Sequence, residues 1–319
     1  MPNALLLSIG SKVALARIAM ESARRRGIAL HASDHSEDVP ASQSVDRFHL
    51  FDFRQGIDAL IALCRKEGIE LVIPTRHSDL PLLSRSREAL SSHGIEAAIS
   101  NFETVELCTD KLKTASFFAN HSVPAPPTFD AQSLNKNELE PLFPLIAKPV
   151  RGSASQGIRV LRSFDELEAD PIDASSVVQA LAKGDEYTIN VYIDKQGEIT
   201  STIPHKRMIV SEGEAVQAIT ARIPTLIEQA NRIAAALPGA RGPLNIQAFW
   251  DEESGRAQFI EINPRIGGGF PLAHQAGGRF IEWLFQERFD QAAPRKTDKW
   301  TEGLRMMRYR DAIFDLPQL

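Results

Sequence analysis

The sequence predicts an α/β half followed by an α+β half. Two observations carry that reading. Apolar runs alternate with helix-period segments over roughly the first hundred residues, and paired strands joined by short polar turns dominate the rest. A third observation sets the number of folding units: at 319 residues the chain exceeds what one hydrophobic core usually organises, so two or three domains are expected.

The first half reads in order. "ALLLSIG" (4–10) is a short buried-type strand. Residues 12–26 repeat apolar positions at helical spacing and stop at Gly27, a natural C-cap. "IALHASD" (28–34) is the next strand, 56–68 a helix, "IELVIPT" (69–75) a third strand and 79–94 a further helix. Strand–helix alternation of this kind builds a parallel, doubly wound sheet whose ligand loops lie at the carboxyl ends of the strands. Those loops are 10–12, 33–38 and 75–79; the first lacks G-x-G-x-x-G, so the dinucleotide fingerprint is missing.

From Asn101 the texture changes. Residues 101–123 read as one helix closed by the proline-rich "VPAPPTF". "LFPLIAKPVRGSASQGIRVLRS" gives strand, Gly/Ser loop and strand, and 175–200 a strand, a turn and a hairpin. "IPTLIEQANRIAAALPG" is an amphipathic helix capped at Gly239, and 243–265 is a second hairpin. "GLRMMRYRDAIF" near the end reads as a final strand on the core.

Composition excludes some classes of function. With 43% hydrophobic and 24% charged residues, a net charge of −5 and a pI near 5.9, nothing favours nucleic acid or an anionic membrane as the main partner. No apolar run approaches the ~18–20 residues of a membrane span. The N-terminus carries no basic leader and reads as a strand, so a reducing cytoplasm is the expected location. Cys64 and Cys108 both sit in apolar helical runs, where buried free thiols are expected rather than a disulfide or a zinc site.

Four stretches carry candidate chemistry. In the second hairpin, symmetric pairing about Ser254 sets Gln247 opposite Glu261 and Asn245 opposite Asn263, all on one face. Gln247, Glu261 and Asn263 then form an oxygen-only set suited to a hard cation, although a solvated polar face would show the same pattern. In "LIAKPVRGSASQGIRV" a strand-end lysine, Lys148, precedes a loop of small residues whose amides can close over phosphate; a plain flexible hairpin reads the same way, and no Walker A motif is present. Glu186 begins a strand after a short connection from Gln179, where a carboxylate could accept ribose hydroxyls; by itself it is a charged residue near a turn. Lys111 and Lys113 stand in the amino-terminal half of a helix, against the dipole preference, as either a solvated face or an active-site cation.

Taken in order, these stretches resemble the ATP-grasp superfamily, and within it the carbamoyl-phosphate-synthase-like carboxylate–amine ligases. The resemblance rests on Asp110-Lys111, "AKP" at 147–149 with its small-residue loop, Q-x-x-x-x-G-x-E-Y-T at 179–188, N-x-Q at 245–247, and E-I-N-P-R at 261–265 followed by three glycines. It spans about residues 101–275; residues 1–100 look like the Rossmann-like domain that precedes such cores. The implied division is a Rossmann-like domain over 1–100, a central lid lobe over 101–178, and a carboxyl-terminal lobe with the metal site over 179–319.

The resemblance further implies that Lys111 and Lys148 contact ATP phosphates. The loop 152–157, including Gly152, Ser153, Ser155 and Gly157, would be a lid over them. Gln179, Ala180 and Leu181 would line the adenine and Glu186 would meet the ribose. Gln247, Glu261 and Asn263 would hold two Mg2+ ions, with Mn2+ as a substitute. Arg265 would steady the transferring phosphoryl group, and Arg207 in "PHKRMIV" would hold the γ-phosphate or a carboxylate. Ala180 departs from the acidic residue common in relatives, and His205 and Ser211 stand where relatives often carry arginine, which leaves the acceptor undefined.

The implied activity is ATP-dependent joining of a small carboxylate, an amino acid among the candidates, to an amine. Its implied partners are therefore those two small molecules, with a homodimer compatible. Two alternatives stand beside it: formation of an acyl or carbamoyl phosphate without an amine, and a nucleotide-binding protein that acts only by interaction.

Overall fold

A computed structural model of the chain describes residues 1–152 and 157–314. Ser153 and Ser155 lie outside the described residues. No helix among the described residues is long and apolar enough to cross a membrane.

The first sheet is parallel, as the alternation predicts. In chain order its elements are β1 (Asn3–Leu7), α1 (Val13–Arg26), β2 (Ala29–Asp34), β3 (Arg47–Leu50), α2 (Ile57–Glu67), β4 (Ile69–Pro74), α3 (Leu80–Arg85), α4 (Arg87–Ser92) and β5 (Glu96–Ala97). The strand order is β3-β2-β1-β4-β5. Gly27 ends α1 in the left-handed region, as expected of a C-cap (φ 63°). Two strands escape the sequence reading because β3 and β5 are too short to show an apolar period. Residues 79–94 form two helices rather than one. The backbone breaks at Ser86, which caps α3 and leads into α4 with a non-helical φ/ψ of −97°/12°.

The expected single helix over 101–123 is likewise two, α5 (Phe102–Thr109) and α6 (Lys111–Asn120). The break falls at Asp110, whose extended backbone lets its carboxylate accept from the Leu112 and Lys113 amides. That makes Asp110 the N-cap of a new helix rather than an interior residue. Both helices pack on the later six-stranded sheet, where Cys108, Phe117 and Phe118 join its core.

A four-stranded antiparallel sheet follows, from β6 (Thr128–Asp130), α7 (Lys136–Leu139), β7 (Leu145–Pro149), β8 (Arg159–Leu161), α8 (Phe164–Ala169) and β9 (Ser176–Ala180), in the order β6-β9-β7-β8. The largest sheet contains β10 (Asp185–Ile193), β11 (Ile199–Ser211), β12 (Glu214–Thr220), β13 (Gly242–Asp251), β14 (Arg256–Asn263) and β15 (Arg305–Met307), in the order β14-β13-β10-β11-β12-β15. The helices α9 (Pro224–Ala236), α10 (Phe270–Ala276) and α11 (Phe280–Phe285) complete it.

The α9 helix stops at Ala236, before the expected cap at Gly239, because Leu237 is already extended ahead of Pro238. Gly239 has another task. Its carbonyl accepts from the Asn101 amide, and a Cβ there would lie 2.4 Å from the Asn101 side-chain nitrogen. Both cysteines are free and buried, and burial pushes the Cys64 thiol up to about 12.

Candidate functional site

The predicted pairing of the second hairpin is present: Gln247 lies opposite Glu261 and Asn245 opposite Asn263. A bulge between Gln247 and Ala248 shifts the register further out, yet all four residues face one cavity. Ile246, Ala248, Phe259 and Ile262 point the other way into the core, where α5, α6 and α9 cover them. The period-2 alternation therefore gives this ribbon one apolar and one polar face.

The cavity has a volume of about 960 Å³ and sits where the three sheets meet. From β7 it receives Lys148, from the start of α6 Lys111, from β9 and its exit Gln179, Ala180 and Leu181, and from β10 and β11 Glu186 and Arg207. Arg265 and the three glycines close the end nearest the parallel sheet. Gly152 also lines it; Gly157 does not, and instead sits against Pro149. Of the two helix lysines, only Lys111 faces the cavity, while Lys113 turns outward and donates to Glu106 (3.0 Å).

The internal contacts orient these groups. Lys148 is buried, and its ammonium donates to Gln179 Oε1 (2.8 Å), whose amide in turn donates to Thr128 Oγ1 (2.7 Å). Burial lowers the Lys148 pKa to about 8, against the attraction of Glu261. Lys111 donates to the Gly152 carbonyl (3.3 Å), tying the head of α6 to the loop after β7. Burial pulls its pKa down as well.

Glu186 and Arg207 form a side-chain ion pair, and Arg207 also donates to the Gly213 carbonyl (2.8 Å). Burial nevertheless raises the Glu186 pKa, with Arg207 opposing it. The two residues expected to meet different parts of a nucleotide are thus direct neighbours.

On the hairpin, Asn263 Nδ2 donates to Glu261 Oε1 (2.9 Å) and Arg265 donates to the Ile266 carbonyl (3.0 Å). Asn245 Oδ1 and Arg265 Nε are buried without a partner. An unpaired amide oxygen beside a carboxylate and two more amides is the donor chemistry a hard cation takes, so the residues fit Mg2+. A half-turn of the Asn263 amide would add its oxygen to the set.

Further lining residues come from the expected ligand loops and from outside them. Lys12 and Ser11, Thr75, Arg76 and His77 come from the loops after β1 and β4, two of the three loops expected to hold ligand; the loop 33–38 contributes no lining residue. Asp34 in it serves instead to accept from the Gly10 amide (2.8 Å). Lys12 Nζ donates to the Ile9 carbonyl (3.4 Å), and burial, with Arg265 close by, lowers its pKa against the attraction of Glu214 and Asp34. Glu214, Arg308 and Arg310 approach from β12 and the chain beyond β15. Only the strand-end loop rule could have singled out Lys12 and His77. Arg308 lies beyond any motif.

Two histidines near the site, His205 and His274, differ in placement. His274 Nε2 accepts from Arg279 Nη1 (3.0 Å), and the residue lies outside the cavity lining. His205 is fully buried beneath the glycine run. Asn190 Nδ2 donates to its Nδ1 (3.2 Å), which leaves the proton on Nε2, and burial drops its pKa to about 3.

Comparison with known proteins agrees with this architecture. The ATP-grasp domain family matches residues 108–269, and the PylC-like N-terminal domain matches residues 4–98. The chain is 24% identical over 264 residues to a carbamoyl-phosphate synthase of Methanobrevibacter smithii, covering 77% of this chain and 70% of that one. It is 26% identical over 160 residues to D-alanine–D-alanine ligase A of Bacillus cereus, covering 44% of this chain and 53% of the ligase. Among solved structures, biotin carboxylase of Campylobacter jejuni superposes with a TM-score of 0.74 at 17% identity, covering 95% of this chain and 74% of that one. L-amino acid ligase of Bacillus licheniformis gives 0.67 at 21%, covering 90% and 74%. With one domain match covering half of its length and a second covering the parallel sheet before it, this chain belongs to the ATP-grasp family.

Proposed function

We propose that the chain is an ATP-dependent carboxylate–amine ligase: it phosphorylates a small carboxylate with ATP and passes the acyl group to an amine, releasing ADP and phosphate. The observation that carries this reading is the meeting, in one cavity, of an oxygen-rich hairpin face with Lys111, Lys148 and Arg265. Relatives by sequence include D-alanine–D-alanine ligase and formate-dependent phosphoribosylglycinamide formyltransferase.

In this reading Gln179, Ala180 and Leu181 line the adenine at the exit of β9, and Glu186 accepts from the ribose once Arg207 moves toward the phosphates or the substrate carboxylate. Lys111 and Lys148 hold the phosphates as compact point charges. Of the described residues of the expected lid, Gly152 lines the cavity beside them and accepts from Lys111. Gln247, Glu261 and Asn263 would hold Mg2+, two ions in the full complex, with Mn2+ as a substitute. Bound there, the metal supplies positive charge to phosphate oxygens that would otherwise repel an incoming carboxylate.

The chemistry follows from charge. A carboxylate oxygen attacks the γ-phosphorus and ADP leaves, giving an acyl phosphate with phosphate as leaving group. The amine nitrogen then attacks the acyl carbon, the C–O bond breaks, and phosphate departs. Arg265, held by the Ile266 carbonyl, presents its guanidinium to the transferring group. Lys12 and Arg76 lie at the same end of the cavity as Arg265, which makes that end electropositive and suited to the substrate carboxylate. The glycine run lets the substrate approach the backbone there.

A phosphate-release screen tests the reading, with ATP, Mg2+ and pools of carboxylates and amines. At least one carboxylate–amine pair should stimulate release, and Glu261→Ala should abolish most of it. Release from Glu261→Ala at the wild-type rate would defeat the metal assignment. Absence of both ATP binding and stimulated release would defeat the ligase reading.

A further inference from the structure

A second cluster of ligating side chains lies outside the cavity, at the edge of the parallel sheet. His31 on β2, His49 on the edge strand β3 and Glu67 at the end of α2 each offer one ligand atom, and the three atoms lie within 4.8 Å of one another. His31 Nδ1 and His49 Nε2 are 2.8 Å apart, and the two rings stack with centroids 5.1 Å apart. His31 is buried at 1% exposure, and the Glu67 side chain is 13% exposed. None of the three lines the nucleotide-sized cavity.

We propose that His31, His49 and Glu67 form a binding site for a first-row divalent cation that favours nitrogen, Zn2+ in the first instance. Two imidazoles and one carboxylate with a fourth position open to solvent are a recognised zinc donor set. Tetrahedral zinc at ~2.0–2.1 Å from each donor would need ligand atoms about 3.4 Å apart. The two imidazole nitrogens are 2.8 Å apart and all three ligand atoms lie within 4.8 Å of one another, so the adjustment needed is on the scale of side-chain rotation.

The surroundings support the assignment. Burial holds both imidazoles toward the neutral form, which leaves lone pairs for a metal. On binding, the proton now shared between His31 Nδ1 and His49 Nε2 moves to the outer nitrogen of its ring. Asn3 anchors the main chain at Glu67 by donating to its backbone carbonyl (2.9 Å). The carboxylate is at present engaged by Arg47 (3.2 Å) and, more distantly, Lys66 (3.7 Å), so the ion must displace Arg47. A bound ion would take over from the Arg47–Glu67 pair as the direct link between the short edge strand β3 and the end of α2.

The test uses the full metal-free chain in the Glu261→Ala background, which removes the carboxylate of the hairpin's cation-fitting face in the large cavity. Titration with Zn2+ against a chromophoric chelator should show one ion per chain, and Co2+ should give the visible absorption of a four-coordinate site. His49→Ala and Glu67→Gln, both partly exposed and tolerant of change, should each weaken Zn2+ binding at least tenfold and remove the Co2+ band. Thermal unfolding of the parent should rise with added Zn2+, and that rise should vanish in both variants. No stoichiometric zinc in the parent, or unchanged affinity in both variants, would overturn the proposal.

Discussion

Lys148 gives the account its most quantitative test. Its ammonium is buried against Gln179, and its pKa falls from the ordinary 10.5 to about 8. In the free protein it therefore loses its charge as pH rises through 8, while the phosphates it would hold stay fully anionic. Because kcat/KM reports ionisations of the free enzyme, kcat/KM for ATP should fall above pH 8, by about tenfold per pH unit at the limit. Bound phosphate restores the favourable partner and raises the pKa again, so kcat at saturating ATP should stay level to about pH 9.

Stability provides an independent reading of the same group. The native lysine releases its proton near pH 8, whereas the unfolded chain keeps it up to 10.5. Between these values the unfolded state binds more protons, so stability rises with pH, by up to about 3 kcal/mol at ~1.4 kcal/mol per pH unit. The assay is ATP-dependent phosphate release from pH 6.5 to 9.5, with Lys148→Arg as a variant that stays charged throughout. A wild-type kcat/KM that stays flat across pH 8, or that bends identically in Lys148→Arg, would refute the reasoning.

Other consequences can be checked directly. In Gly269→Ala the new Cβ would stand 2.4 Å from His205 Nε2 and 2.5 Å from Cε1, and His205 is fully enclosed. Overpacking of this kind costs ~1–3 kcal/mol, so thermal unfolding should shift down, and His205→Ala should recover most of the loss in the double variant. Additive effects would show that the ring and the glycine run are not coupled. Asp110→Ala removes the cap of α6 and should cost about 1 kcal/mol while raising KM for ATP through Lys111, the next residue; an unchanged KM would detach that helix end from the phosphates.

The sequence foretold the chemistry better than the boundaries, for physical reasons. Period-2 alternation on β13 and β14, with a short polar turn, determines both register and facing, so Gln247 against Glu261 was legible before any coordinates. The parallel sheet was legible too, because α1 and α2 each end at a glycine before an apolar run. The break at Asp110 was hidden because apolar spacing continues across it, and only the capping role of a single aspartate interrupts the helix. β3, β5 and β6 have two to four residues each, too few for any period. The strand-end rule marks the loops of Lys12 and His77 but not which of their side chains turn inward, and Arg308 arrives from a segment beyond any motif. The pairing of Arg207 with Glu186 is a tertiary contact between β10 and β11, invisible in either motif alone.

The central claim, that ATP activates a carboxylate as an acyl phosphate, is tested most directly by oxygen transfer. With the carboxylate found by the screen labelled with 18O, an amine and ATP, one labelled oxygen should appear in the released phosphate for each amide formed, because the bond that breaks joins the acyl carbon to a former carboxylate oxygen. Phosphate free of label alongside amide product would contradict the account.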